Sequence, residues 1–112
     1  MCGIVGFAPV NENAPEVLKK MMERIAHRGP DGEGQYIDEN VALGHRRLSI
    51  IDLAGGNQPM KTNHLVVVFN GEIYNYLELR KELEEKGHHF KTNSDTEVLL
   101  HGFEEYRYEI VN

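Results

Sequence analysis

A single cysteine among 112 residues leaves no partner for a disulfide within the chain, and cysteine usage this sparse fits a reducing, cytoplasmic setting. The N-terminus lacks both the basic stretch and the long apolar core of a secretory signal. Long hydrophobic runs are missing as well. The longest aliphatic stretch is residues 65–69, far short of the roughly 20 apolar residues that cross a bilayer, so no membrane partner is expected. Positive charge is also in short supply: 12 Lys and Arg stand against 18 Asp and Glu, a net charge of -6. That balance gives no basic field to attract phosphates, which removes nucleic acid from the expected partners. What is present is ordinary for a folded, water-soluble protein, with 40% apolar and 27% charged residues. The length suits one hydrophobic core rather than two.

Residues 2–8 are short and apolar, carry no polar side chain after Cys2 and end at Pro9, which predicts a buried strand starting at the first residue. Asn13 followed by Glu16 has the form of a capping box, and Pro15 suits a first helical turn. Val17, Leu18, Met21, Met22 and Ile25 then make one apolar face, predicting a helix of about three turns. It should stop near Gly29, where Gly-Pro-Asp-Gly-Glu-Gly begins. Strand-like stretches at 35–37 and 41–51 predict a hairpin running into the polar loop 54–59. Residues 65–69, with three consecutive valines, give the strongest β signal and break at Asn70-Gly71, a pair that on its own predicts a tight turn. A second box, Asn75 and Glu78, opens a helix over 76–86 with Leu79 and Leu83 on one face and Gly87 as its stop. A third, Ser94 and Glu97, opens a helix bearing Val98, Leu99 and Phe103. That helix has barely ended at Asn112, so a truncated domain is expected, with no repeat or linker to divide it.

By itself a lone cysteine in an apolar strand is a small buried hydrophobe. Its position gives Cys2 a second meaning. A small residue after the initiator permits removal of Met1, leaving a thiol and a free α-amine on one residue. That amine has a reference pKa of about 7.7 to 8.0 and can serve as base for the adjacent nucleophile, with no histidine required. Attack on an amide also needs donors at the developing oxyanion. Asn70-Gly71 offers a side-chain amide and an unobstructed backbone N–H, although for the pair taken alone a plain hairpin turn is the favoured explanation. A free amino-acid substrate presents a carboxylate and an ammonium, for which Arg47 and Asp95 have the matching signs; each is otherwise a surface charge or a helix cap.

The six histidines do not point to a metal. His88 and His89 are adjacent, which in a strand sends them to opposite sides, and the sole cysteine lies in a separate strand. The glycines at 29–34 lack the Gly-Lys-Ser/Thr ending of a phosphate loop and the spacing of a dinucleotide fingerprint. Neither a metal nor a nucleotide site is expected.

Six motifs occur in order: Met-Cys-Gly-Ile-Val-Gly-Phe at the start, His-Arg-Gly-Pro-Asp-Gly at 27–32, Gly-His-Arg-Arg-Leu-Ser-Ile-Ile-Asp at 44–52, Gln-Pro-Met at 58–60, Asn-Gly-Glu-Ile-Tyr-Asn at 70–75, and Ser-Asp-Thr-Glu at 94–97. Together they resemble the class II glutamine amidotransferases, and most closely the glutaminase domain of the bacterial-type asparagine synthetases, over essentially the whole chain. The resemblance implies an α+β fold of the N-terminal nucleophile hydrolase type, a four-layer αββα sandwich of two antiparallel sheets, of which residues 1–112 are an incomplete N-terminal portion. Cys2 then attacks the side-chain amide of glutamine, forms a thioester and releases ammonia, and water frees glutamate. Asn70 and Gly71 match the oxyanion hole. Arg47 matches the holder of the glutamine carboxylate, Asp95 and Glu72 match positions at its α-amino end, and Leu48, Ser49, Ile50 and Ile51 line the pocket.

Members of the family continue into further glutaminase strands and a synthetase domain that binds ATP and Mg2+, activates aspartate as an acyl-adenylate and receives the ammonia. No cofactor is therefore expected in this segment. The partners implied are glutamine and the chain's own synthetase domain, and a homodimer is compatible with the resemblance. Two other readings stay open: a glutaminase serving a different ammonia acceptor, and a non-catalytic module that binds glutamine without turnover.

Overall fold

The computed structural model describes residues 2–48 and 57–111. Its first sheet is antiparallel, with β1 (Gly3–Phe7) and β2 (Gly32–Ile37) flanking a central β3 (Ala42–Arg47). The β2–β3 hairpin is closed by Asp38, whose Oδ1 accepts the Asn40 and Val41 N–H groups at 2.7 and 2.8 Å while its own N–H donates to the Val41 carbonyl. The Asn40 N–H, then the Tyr36 hydroxyl and the Val41 N–H, hold the Asp38 carboxyl below its usual range. β3 is paired along both edges, Gly3 opposite Arg46 through Phe7 opposite Ala42, and Gly32 opposite Arg47 through Ile37 opposite Ala42.

Side chains alternate across a strand, so β3 sends Ala42, Gly44 and Arg46 to one face and Leu43, His45 and Arg47 to the other. The first face meets α1 (Ala14–Arg24). Leu18 and Met22 bury themselves against Ala42, with Val5, Phe7, Val10 and Ile37 around them. Gly44 permits this approach: a Cβ there would stand 2.4 Å from the Met22 sulfur. The helix ends at Arg24, earlier than its apolar pattern predicts, and a 3-10 turn (Ala26–Arg28) carries the chain to Gly29. Gly29 has φ -150, so it is not a left-handed cap; its role is space, since a Cβ would lie 2.3 Å from the Arg46 carbonyl carbon.

A second antiparallel pair joins β4 (Met60–Lys61) to β5 (Val66–Val67). Thr62 closes it, donating its N–H to the Leu65 carbonyl and accepting the Leu65 N–H on its hydroxyl. The valine-rich run thus pairs over two residues only, because the Phe69 N–H is taken by the Gln58 side chain. Asn70-Gly71 makes no hairpin: the chain runs on to α2 (Tyr76–Glu85). α2 closes as predicted at Gly87, where φ is +99. Gly87 N–H donates to Glu84 O and His88 N–H to Leu83 O, the two bonds of a Schellman motif. α3 (Thr96–Tyr106) packs on α2, with Leu83 of α2 and Val98 and Leu100 of α3 buried, and a final 3-10 turn (Arg107–Val111) lays Ile110 over Gly102.

None of the three capping boxes forms in the expected way. Asn13 and Asn75 occupy the N-cap positions of α1 and α2 without a side-chain bond. At the third, Asp95 rather than Ser94 is the N-cap; Ser94 Oγ accepts the Thr96 N–H, and Glu97 reaches back to the Lys91 and Thr92 N–H groups. The part of the predicted 41–51 strand beyond Leu48, and residues 54–56 of the predicted loop, lie outside the described residues.

The face of α1 that carries the core is testable. Leu18 is 0% exposed and Val17 is 42% exposed. Urea denaturation of Leu18→Ala should show a loss of about 2–5 kcal/mol, against no more than about 0.5 kcal/mol for Val17→Ala. Equal losses would contradict this packing.

Candidate active site

The period of two that builds β3 also assigns the site. Gly3, Val5 and Phe7 share the α1 face with the residues they oppose, so Ile4 and, by the same alternation, Cys2 belong to the face of His45 and Arg47. Cys2 is half-buried at the start of β1 and its thiol is free of any disulfide. Two contacts seat its sulfur at the end of β3: the Leu48 N–H donates to Sγ at 3.4 Å and the thiol reaches the Leu48 carbonyl at 3.8 Å. Arg28 Nε donates to the Cys2 carbonyl at 3.2 Å, which holds the backbone as well.

Arg47 is only 8% exposed, and its Nη1 donates to Asn57 Oδ1 at 2.9 Å. Its neighbour Arg46 turns the other way, to Glu33 at 2.5 Å and the Gly29 carbonyl at 3.2 Å. Two adjacent arginines therefore serve opposite faces of one sheet.

His45, 1% exposed, donates from Nε2 to the Phe69 carbonyl at 3.3 Å and so brings the end of the valine run onto the Cys2 face. Burial pushes this imidazole below its ordinary value of 6.5; the Phe69 carbonyl opposes the shift and the Arg47 charge adds to it. Gln58 fixes the same stretch from another direction, its Oε1 accepting the Phe69 N–H at 2.6 Å and its Nε2 donating to Thr96 Oγ1 at 3.2 Å. The next residue back, Asp95, accepts the Ile73 N–H on Oδ2 at 3.0 Å. Residues 69–73 are thereby held at both ends, by His45 and Gln58 and by Asp95.

The residues singled out from sequence fall into two groups. Cys2 and Leu48 meet at the end of β3, on the face that Arg47 shares, while Asn70, Gly71, Glu72 and Asp95 belong to the strap 69–73 and its anchor. Gly71 packs against its own neighbour's ring, a Cβ there falling 2.9 Å from Phe69 Cζ. Glu72 is exposed and lines a groove with Ile73 and Tyr106. Asp95 spends its carboxylate on the strap rather than on its own helix. Ser49, Ile50 and Ile51 lie outside the described residues. Sequence reasoning assigned no role to His45, Asn57, Gln58 or Thr96. The first carried a signal, since His45 shares the strand parity of Arg47; the other three have meaning only through the segments they join.

The glutamine amidotransferase domain model matches residues 1–112. The chain belongs to this family. Among curated relatives of this amidotransferase domain, asparagine synthetase [glutamine-hydrolyzing] 1 of Bacillus subtilis is 50% identical, over 97% of this chain and 18% of that protein. The Zea mays asparagine synthetase is 43% identical and asparagine synthetase 1 of Arabidopsis thaliana 42%, each over 100% of this chain and 20% of the relative. The amidotransferase segment thus spans about a fifth of the length of the curated relatives it matches.

Two predictions follow from the anchoring of the strap. Because His45 resists protonation in the folded state, its contribution to stability is complete above pH 6.5 and declines as pH falls from there toward its lower native value. NMR titration should place its midpoint below 6.5, and a midpoint above that would contradict the buried neutral ring. Gln58→Leu leaves the Phe69 N–H without its acceptor and should cost about 1–3 kcal/mol in denaturant unfolding; an unchanged midpoint would mean the bridge carries no stability.

Proposed function

We propose that this chain forms the glutaminase site of a glutamine-dependent amidotransferase with Cys2 as the N-terminal nucleophile. The observation that carries the reading is the Cys2 thiol seated on Leu48 at the end of β3, on the same face as Arg47, in a chain that matches the amidotransferase domain along its whole length. After removal of Met1, the α-amine of Cys2 takes the thiol proton as sulfur bonds to the side-chain carbon of glutamine. The carbon–nitrogen bond breaks, that proton leaves with ammonia, and water then cleaves the thioester to glutamate.

Asn70 and Gly71 are assigned to the oxyanion, which the strap's anchoring at Phe69 and Ile73 supports by presenting both in a fixed geometry. Arg47 is assigned to the substrate carboxylate. The planar fork of a guanidinium matches a carboxylate in a bidentate grip. Asp95 and Glu72 are assigned to the α-amino end, and Leu48, Ser49, Ile50 and Ile51 to the pocket wall.

The chain is read as the N-terminal portion of an N-terminal nucleophile domain, an αββα sandwich, a reading supported by α1 on one face of the first sheet and the 58–69 segment on the other. The ammonia acceptor is taken to be aspartate, activated with ATP and Mg2+ in a separate synthetase domain, in a cytoplasmic homodimer. The names of the relatives support the acceptor.

Intact-mass spectrometry of the complete polypeptide carrying this segment, before and after a diazo-ketone analogue of glutamine, tests the site. Met1 should be absent and one adduct should map to Cys2. Cys2→Ser should take no adduct and should lower ammonia release by more than about a thousandfold. Undiminished release by Cys2→Ser would overturn the proposal.

A further inference from the structure

The turn after α2 and the outer side of α3 bring two histidines together. The Schellman close of α2 fixes the backbone of His88, whose N–H donates to Leu83 O at 3.0 Å. On α3, Glu97, His101, Glu104 and Glu105 follow at spacings of four, three and four residues from His101, so they share one side of the helix. The two imidazoles meet with Nδ1 atoms 3.2 Å apart, and both side chains are largely buried, 14% and 13% exposed.

The other ring nitrogens are committed. His101 Nε2 stands 3.1 Å from the carboxylate of Glu97, which is buried and already accepts the Lys91 and Thr92 N–H groups at 2.8 Å. A carboxylate accepting so many bonds needs a donor from His101, so Nε2 carries the proton. His88 Nε2 faces Glu105 Oε2 at 3.4 Å with the same consequence. With these tautomers, neutral rings bring two bare Nδ1 lone pairs within 3.2 Å of one another. Two such lone pairs repel unless a cation lies between them.

The spacing suits a metal. Two nitrogens bound to tetrahedral Zn2+ at about 2.0–2.1 Å stand about 3.3–3.4 Å apart. Glu104 Oε2 is 3.8 Å from His88 Nδ1, and the three ligand atoms lie within 4.8 Å of one another. We propose that His88 Nδ1, His101 Nδ1 and the Glu104 carboxylate bind a divalent transition-metal ion of the Zn2+ class, with water in the fourth position. Glu97 and Glu105 orient the two rings, the carboxylate–histidine–metal arrangement that fixes tautomers. Two imidazoles select Zn2+ over the oxygen-preferring Mg2+ and Ca2+. The ion would pin α3 to the end of α2, and with it the first turn of α3, where Thr96 meets Gln58.

The test uses the complete, tag-free polypeptide in a Cys2→Ser background, so that the thiol offers no ligand, stripped with chelator and held in excess Mg2+. Calorimetric titration with ZnCl2 should show one saturable site per chain, and Co2+ should give the absorption bands of a tetrahedral complex. His88→Gln should lose binding; the near-isosteric changes Glu104→Gln and Glu105→Gln should each weaken it about 10–100-fold. No saturable Zn2+ uptake would show that the facing nitrogens share a proton instead, and uptake equal in all three variants would place the metal elsewhere. Either result overturns the site.

Discussion

The side chain of Gln58 is the constraint through which the separate parts of this fold are registered on one another. Its two amide atoms join the end of β5 to the start of α3, and its backbone carbonyl lies against β2, where a Cβ on Gly34 would come within 1.9 Å of it. An amide suits this position because it accepts on one side and donates on the other. An apolar chain would leave the Phe69 N–H unpaired among partly buried groups. Without that bridge, Phe69 would keep its carbonyl bond to His45 but lose its tie to the first turn of α3.

Beneath Gln58 the first sheet has both faces covered, and the price falls on the face opposite α1. His45 and Arg47 are buried there, and each needs a polar partner to offset desolvation. Phe69 O serves the first and Asn57 Oδ1 the second, so the loop that covers the sheet is also what makes its buried polar residues tolerable. Folding of this face and assembly of the Cys2 environment are therefore one event. Leu48, which seats the thiol, directly follows Arg47, the last residue of β3.

Local signals in the sequence carried the elements whose causes are local. The β1 strand, though not the burial expected of it, since Ile4 is 46% exposed, the three helices, the hairpin and the Gly87 stop were legible because apolar periodicity and a left-handed glycine act over a few residues. Cys2, Arg47 and Asp95 were singled out from residue chemistry joined to the motif pattern, and their proposed roles rest on that reading. The third capping box misled because Glu97 takes the N–H groups of residues 91 and 92, while Asn13 and Asn75 make no side-chain cap bond. The valine run misled for the same reason: β propensity is settled by the available partner, and Phe69 turns to Gln58 and His45 instead of a neighbouring strand. His88 and His101 are 13 residues apart and share no motif; only the packing of α3 on the end of α2 makes them neighbours.

The register of β3 is the last step, because the division of labour between Arg46 and Arg47 depends on it. A slip of one residue would exchange the two faces, sending Arg46 toward Cys2 and Arg47 toward Glu33. Charge could not prevent this, since both residues are arginines. Close packing can. Gly29 lies against the Arg46–Arg47 peptide and Gly34 against the Gln58 carbonyl, and after a slip Gly44 would no longer face Met22, bringing a Leu or His side chain where even a Cβ meets sulfur at 2.4 Å. Three glycines, each chosen for the atoms it leaves out, thus decide which arginine stands beside the thiol.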